Sequence, residues 1–250
     1  MSFFFTVSPD FSPLHISDWF LVNTWLQRNT GEQIHLELFD DFESQRKVIE
    51  EKKVDLIYSN PYDAAILVRK HGFKAVARPR DLTDEAIIAV AASSPITKVE
   101  DLKPQTRIAT TDDPNVHMMA MILIEPADLS KANTVITIRD SYMRVAQDVI
   151  GGIADVGFFL KSTYDDLSDI VKKQLRPITT SRIYMVHHAL LVGNNMIPLK
   201  EKLQQTLVKM SADPEGKSAL EALSFSGWDL LEQEDVEFMI DLMDTLVEKE

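Results

Sequence analysis

The sequence contains no cysteine, which excludes disulfides, thiolate nucleophiles and cysteine-ligated zinc. It is short of positive charge: 26 Lys and Arg stand against 39 Asp and Glu, for a net charge of −13. No Lys/Arg-rich run offsets that balance. The chain is therefore a poor candidate for binding nucleic acid or an anionic membrane surface, both of which need a basic patch. No stretch approaches the roughly 20 consecutive apolar residues of a membrane span, so no membrane insertion is expected. Glycine-rich phosphate loops, His-Glu-x-x-His and Gly-x-Ser-x-Gly are all missing. That removes the sequence signals for nucleotide hydrolysis, zinc proteolysis and serine esterase chemistry.

What is present is a 250-residue chain with 45% hydrophobic content, enough for one large domain or two smaller lobes. The start, Met1-Ser2-Phe3-Phe4-Phe5-Thr6-Val7, has neither the basic segment nor the long apolar segment of a secretory leader. The expectation is a cytoplasmic protein if Met1 is the native start, and a periplasmic one if Met1 replaces a removed leader. Cysteine absence fits both.

Read along the chain, Phe3–Val7 is a strand and Ile16–Arg28 is a helix, with Trp19, Val22, Trp25 and Leu26 at helical spacing and Gly31 as its stop. Ile34–Phe39 alternates as a strand, Asp40 and Asp41 open a helix to Glu51, Val54–Tyr58 is a buried-type strand, and Ser59-Asn60-Pro61 turns into a helix closed by Gly72. The order then recurs. Arg107–Thr110 is a strand, Asp113-Pro114 starts a helix, and Thr134–Ile138 is a strand. Ser141 begins a helix ending at Gly151-Gly152, Asp155–Phe159 is a strand, and Ser162 caps a short helix. An acidic residue, Asp55 or Asp155, precedes the third strand of each set.

Alternating strands and helices predict mostly parallel sheets, and two such sets predict an α/β fold of two lobes. Ala86–Ala91 and Tyr184–Val192 read as apolar runs crossing between them. The expected division is residues 1–86 with 188–250 as a discontinuous first lobe and 87–187 as the second, with a two-strand hinge near 87–91 and 184–188. Helices in the tail, carrying Leu203, Leu207 and Met210 and later Val236, Ile240, Met243 and Leu246, are expected to pack back on the first lobe.

Ligands of open parallel sheets bind beyond the carboxyl ends of the strands, where helix N-termini present free N–H groups. With two lobes facing each other, those loops would line one cleft. Phe11, Ser12, Phe42, Asn60 and Tyr62 lie in such loops of the first lobe, and Thr111, Asn115, Arg139, Ser141 and Tyr142 in those of the second. Hydroxyls, amides and aromatics suit a small polar molecule. Each polar member also has a plain reading as a helix cap.

The segment Val54-Asp55-Leu56-Ile57-Tyr58-Ser59-Asn60-Pro61-Tyr62, the segment Val99-Glu100-Asp101-Leu102-Lys103 and the segment Gly151-Gly152-Ile153-Ala154-Asp155-Val156-Gly157 resemble the phosphate, phosphonate and phosphite substrate-binding proteins of ABC transporters, within the type II periplasmic-binding-protein superfamily. The order of elements agrees over nearly the whole chain, although the individual motifs are short. The resemblance implies a type II two-lobed fold, a ligand cleft closed by a hinge, and in many relatives delivery to an ABC permease. It also implies that Phe11, Phe42, Tyr62, Thr111, Ser141 and Tyr142 lie near the ligand. The chain departs from the family where relatives carry a hydroxyl-rich Ser-Thr-Ser-type turn. It reads Thr111-Asp112-Asp113-Pro114 there, which argues against a tetrahedral oxyanion at that helix end. It also reads Ser141-Tyr142 where relatives often carry Ser-His.

His117, Met118, Met119 and Met121, and then Met185, His187, His188 and Met196, are the groupings that invite a soft metal. Core packing and capping account for them more simply, so no metal and no cofactor is expected. Three functions stay open: a transport-type solute-binding protein, which does no chemistry; a cytoplasmic ligand sensor or carrier with a protein partner; and an enzyme on the same fold, as in menaquinone biosynthesis.

Overall fold

The structure is a computed structural model that describes residues 2–51 and 53–247, without the side chains of residues 246 and 247. The expected packing of Leu246 and the expected end of the first lobe at residues 248–250 therefore lie outside the described residues. The chain divides into two compact units, one built from the residues up to Thr83 together with His187–Met243, the other from Asp84–Val186 with the end of the last helix.

The first unit contains β1 (Ser2–Val7), α1 (Ile16–Thr30), β2 (Gln33–Leu36), α2 (Phe42–Glu50), β3 (Leu56–Ser59), α3 (Pro61–His71) and β4 (Lys74–Pro79). The second contains β5 (Ala86–Ala91), β6 (Arg107–Thr110), α4 (Pro114–Ile124), β7 (Val135–Ile138), α5 (Tyr142–Ile150), β8 (Val156–Leu160), α6 (Lys161–Asp165), α7 (Asp169–Lys172) and β9 (Leu175–Thr180). The chain then returns through β10 (Ala189–Val192), α8 (Lys200–Met210), α9 (Pro214–Ala222), β11 (Trp228–Leu230) and α10 (Gln233–Val247).

The sheet of the first unit has the order β11-β4-β10-β3-β1-β2, and that of the second β7-β6-β8-β5-β9. The two share one plan. A first strand lies between the second and the third, a guest strand pairs with the third, and the fourth strand lies beyond the guest. The guest is β10 in the first unit and β5 in the second. Both guests run antiparallel to their neighbours, because they enter the sheet straight from the crossing segments and not by way of a packed helix. The sheets are therefore mixed and not mostly parallel, with four parallel pairings and five antiparallel ones among the described residues. Between Ser181 and His188 the backbone is irregular, so the crossing near 184–188 is a loop and the strand starts at Ala189.

The acidic residue before each third strand has the same task in both units. Asp55 accepts a hydrogen bond from the backbone N–H of Phe4 at 2.9 Å and one from Asn195 Nδ2 at 2.9 Å, while its own N–H donates to Phe4 O. Asp155 accepts from the N–H of Arg107 at 2.9 Å and donates to Arg107 O, with the Arg107 guanidinium closing the pair. Each carboxylate thus fixes the register between the first and third strands at their starts.

The core of the first unit is aromatic. Trp19 packs 4.8 Å from Tyr58, centroid to centroid, and Phe225 and Trp228 meet edge to face. Leu203, Leu207 and Met210 of α8 join the same core as Trp25 and Leu26 of α1. The second unit is filled by Met118, Met119, Met121, Ile108, Phe158 and Phe159, all buried. Three of the methionines that suggested a metal are thus core residues, as is Met196 in the first unit. Among the described residues no three His, Asp or Glu side chains gather as a metal site.

Candidate functional site

At the carboxyl ends of β1 and β3 in the first unit, a chain of polar contacts ties four elements together. Asn60 caps α3 by accepting from the N–H of Asp63 at 2.8 Å, as an Asn before a Pro at the first helical position is suited to do. Its amide nitrogen donates to Ser8 Oγ at 2.9 Å and to Asp63 Oδ2 at 2.8 Å. Asp63 in turn receives the Arg46 guanidinium on both oxygens, at 2.8 and 3.2 Å. Arg46 lies 5.1 Å from the centroid of the Phe42 ring and 5.5 Å from that of Tyr62, within cation–π range of both. Phe42, Asn60 and Tyr62 therefore belong to one cluster.

Their exposures differ. Asn60 is fully buried and Phe42 nearly so, whereas Tyr62 is 42% exposed. Phe11 packs partly buried against the core, and Ser12 caps the turn Pro13–His15 by accepting from the N–H of Leu14. Beside them Asp10, buried, accepts from or pairs with His188 Nε2 at 3.0 Å, and the His188 ring stacks on Tyr58 at 5.1 Å. Arg46 and Asp63 are not singled out by the sequence, and neither is the pairing of Asp10 with His188, a histidine that the sequence groups with methionines instead. The one available hint was Arg46 standing a helical turn after Phe42.

In the second unit, Asp113 is the cap of α4. Its Oδ1 accepts from the N–H of Asn115 at 3.0 Å and of Val116 at 3.3 Å, and its Oδ2 accepts from the Tyr142 hydroxyl at 3.0 Å. Asp113 and Tyr142 are both buried. The first free N–H groups of this helix are thus taken by a carboxylate of the chain itself. Thr111 and Asn115 are buried alongside, and neither Thr111 Oγ1 nor Asn115 Oδ1 has a hydrogen-bond partner among the described residues. Ser141 caps α5, accepting from the N–H of Arg144 at 3.4 Å. Arg139 is held by an ion pair to Asp148 on α5, and its N–H donates to Thr110 O at 2.7 Å. Ser162 does not cap α6; the cap position is Leu160, whose side chain makes no such bond, and Ser162 is the second residue of the helix. Next to α4 lies a cavity of about 490 Å³ lined by Thr111, Asp112, Asp113, Pro114, His117 and neighbouring residues of β7 and the loop before it.

Thr111, Asn115 and Tyr142 come together at the α4 start, and Ser141 is the residue before Tyr142. Arg139 is engaged with α5 instead. Among the described residues no helix is long and apolar enough to cross a membrane.

The whole-chain comparisons agree with this architecture. PhnD1 from Prochlorococcus marinus, in complex with methylphosphonate, superposes with a TM-score of 0.83 at 12% identity, covering 98% of each chain. A binding-protein component of an ABC phosphonate transporter from Pseudomonas aeruginosa gives 0.81 at 18% identity, covering 98% of this chain and 86% of that one. XAC2383 from Xanthomonas citri, bound to ATP, gives 0.77 at 14% identity, covering 99% and 98%. At these identities the likeness is one of fold, a two-lobed periplasmic-binding-protein fold. No curated protein matches the chain. The family model described as ABC transporter, phosphonate, periplasmic substrate-binding protein matches residues 5–236, and the chain belongs to that family, whose members are the solute-binding components of transporters and not enzymes.

Proposed function

We propose that this chain receives a small polar solute for an ABC importer, holds it by closing its two units around it, and passes it to a membrane permease. Family membership supports the transport role. The observation that carries the binding mode is the repeated sheet plan. In each unit the loops after the first and third strands lead to a helix N-terminus, which is where open sheets of this kind hold ligands.

The ten residues expected from the sequence divide by their surroundings. Tyr62, Phe11 and Ser12 in the first unit and Thr111 and Ser141 in the second have surface, or a hydroxyl with bonding capacity left, to offer a solute. Asn115 likewise keeps an unpartnered amide oxygen among the described residues, whereas Phe42, Asn60, Arg139 and Tyr142 hold those loops in place through the contacts described above. Closure would then be a two-state equilibrium shifted by a ligand that touches both units.

The test begins with a thermal-shift panel of phosphate, methylphosphonate, sulfate, alkanesulfonates, carboxylates and amino acids. A ligand present at 100 times its Kd adds about 2.7 kcal/mol, a rise of roughly 5–10 °C in Tm for a chain of this size. Isothermal titration with the best hit then compares wild type with Tyr62→Ala and Ser141→Ala. Each variant is expected to bind about tenfold more weakly, ~1.4 kcal/mol, while remaining folded in the absence of ligand. Wild-type affinity in both variants would overturn the assignment of these loops to the solute.

A further inference from the structure

We infer that the α4 end of the second unit is built to receive a cationic, N–H-bearing group of the solute and not an oxyanion. The inference rests on the solute-binding reading and names the chemistry of one half of that site.

An oxyanion at a helix N-terminus needs backbone N–H groups that are free and a local field that is positive. At α4 both conditions are reversed. The N–H groups of Asn115 and Val116 already donate to Asp113, and so does the Tyr142 hydroxyl. Asp113 is 1% exposed, so its negative charge is little screened by solvent. An arriving phosphonate, sulfonate or carboxylate would meet a carboxylate already seated where it would bind.

What remains around this end can accept hydrogen bonds, the Thr111 hydroxyl being a donor as well. Asn115 Oδ1 is buried, has no partner among the described residues, and is an acceptor only. Thr111 lines the adjoining cavity, is more than nine-tenths buried, and its hydroxyl has no partner among the described residues. Asp112 lines the same cavity and is exposed, which places a second carboxylate beside the first. An ammonium brings three donors and a positive charge to such a set, and a guanidinium brings five. Lys131 and His117 line the cavity too. Lys131 is exposed, as Asp112 is, so salt screens both of those charges far more than that of the buried carboxylate, which sets the sign of the local field. The net charge of −13 adds a long-range pull on cations.

The experiment uses probes that differ only in an ammonium group: 2-aminoethylphosphonate against ethylphosphonate, and β-alanine against propionate. Each is titrated calorimetrically into the full chain. The aminated member of a pair is expected to bind at least tenfold more tightly, and this preference is expected to narrow in Asp112→Asn, an exposed substitution that leaves the fold intact, and to collapse in Asp113→Ser. In Asp113→Ser the hydroxyl can still cap the helix but the resident charge is gone; this variant is expected to gain ethylphosphonate binding that wild type lacks. Equal or tighter binding of the unaminated probes by wild type would overturn the inference while leaving solute binding standing. If no probe binds wild type or Asp113→Ser, and the thermal-shift panel is also silent, the solute-binding reading falls together with the inference.

Discussion

Asn60 and Asp113 cap helices at the strand ends of the two units, and both stand before a proline at the first helical position. Asn60 is neutral and hands its remaining hydrogen bonds to Ser8 and Asp63, so the charge at that end belongs to the Arg46–Asp63 pair. Asp113 is itself the charge. The third strands differ as well. Two residues after Asp55 the first unit has the fully buried Ile57, whereas two residues after Asp155 the second unit has Gly157. A side chain at 157 would begin 2.6 Å from the Phe159 ring and 2.9 Å from Val145 and Val149 of α5. The glycine lets that helix lie close on its strand. Equivalent positions thus carry unlike residues on one backbone plan. What the units share is the hydrogen bonding that sets register, and what they do not share is the side-chain chemistry of filling and capping.

The sharpest way to break this comparison is to make the third strands alike. Ile57→Ala is expected to cost about 2–5 kcal/mol by opening a cavity, and Gly157→Ala about 1–3 kcal/mol by overpacking α5. Both are read as urea midpoints against wild type. A neutral Gly157→Ala would mean that α5 shifts freely.

A smaller effect separates the two register pins. Asp55 is 7% exposed, so Asp55→Ala leaves the part-buried Phe4 N–H without its acceptor, at a cost of about 1–3 kcal/mol. The Asp155–Arg107 pair is half open to solvent, and Asp155→Ala is expected to cost less, about 1 kcal/mol or below. Equal losses in parallel denaturation curves would show that exposure does not govern the pins.

The smallest effect is one of pH. The hydrogen bond from Arg107, helped by the Arg107 backbone N–H and the guanidinium charge against some desolvation, lowers the Asp155 carboxyl from its usual 3.8. A depressed carboxylate stabilises the fold above its unfolded value, and that contribution is lost as pH falls through the folded value. The stability gap between wild type and Asp155→Asn is therefore expected to hold from neutral pH down to about pH 4 and to narrow below it. A gap that widened in acid would contradict the shift.

Much of this plan was legible in the sequence because it is local. Asp41, Asp113 and Ser141 were readable as caps from residue type and the helical pattern that follows them. The strands Ala86–Ala91 and Arg107–Thr110 lie where the apolar runs placed them. The elements that went unread lack such a signal. β9 contains Pro177, which argues against a strand except at an edge, and β9 is an edge strand whose pairing with β5 is irregular beside that proline. β11 has only three residues. The guest strands were visible as apolar runs, but their direction depends on where the chain comes from, which no window of sequence contains. At the site, the loops could be named, whereas Asp63 with Arg46 and Asp10 with His188 are partnerships across separate elements, with the Asp10 pair spanning most of the chain.

The placement of β10 has a consequence for the order of events during synthesis. It fills the gap between β3 and β4, in the interior of the first sheet, yet it is encoded after every strand of the second unit. Domains usually fold in the order in which they leave the ribosome. Here the amino-terminal half must wait with three strand edges unpaired, one on β3 and both on β4, the condition in which a nascent chain is most exposed to aggregation, while the later half has all five of its strands in hand first. On the ribosome this protein is expected to complete its middle before its beginning.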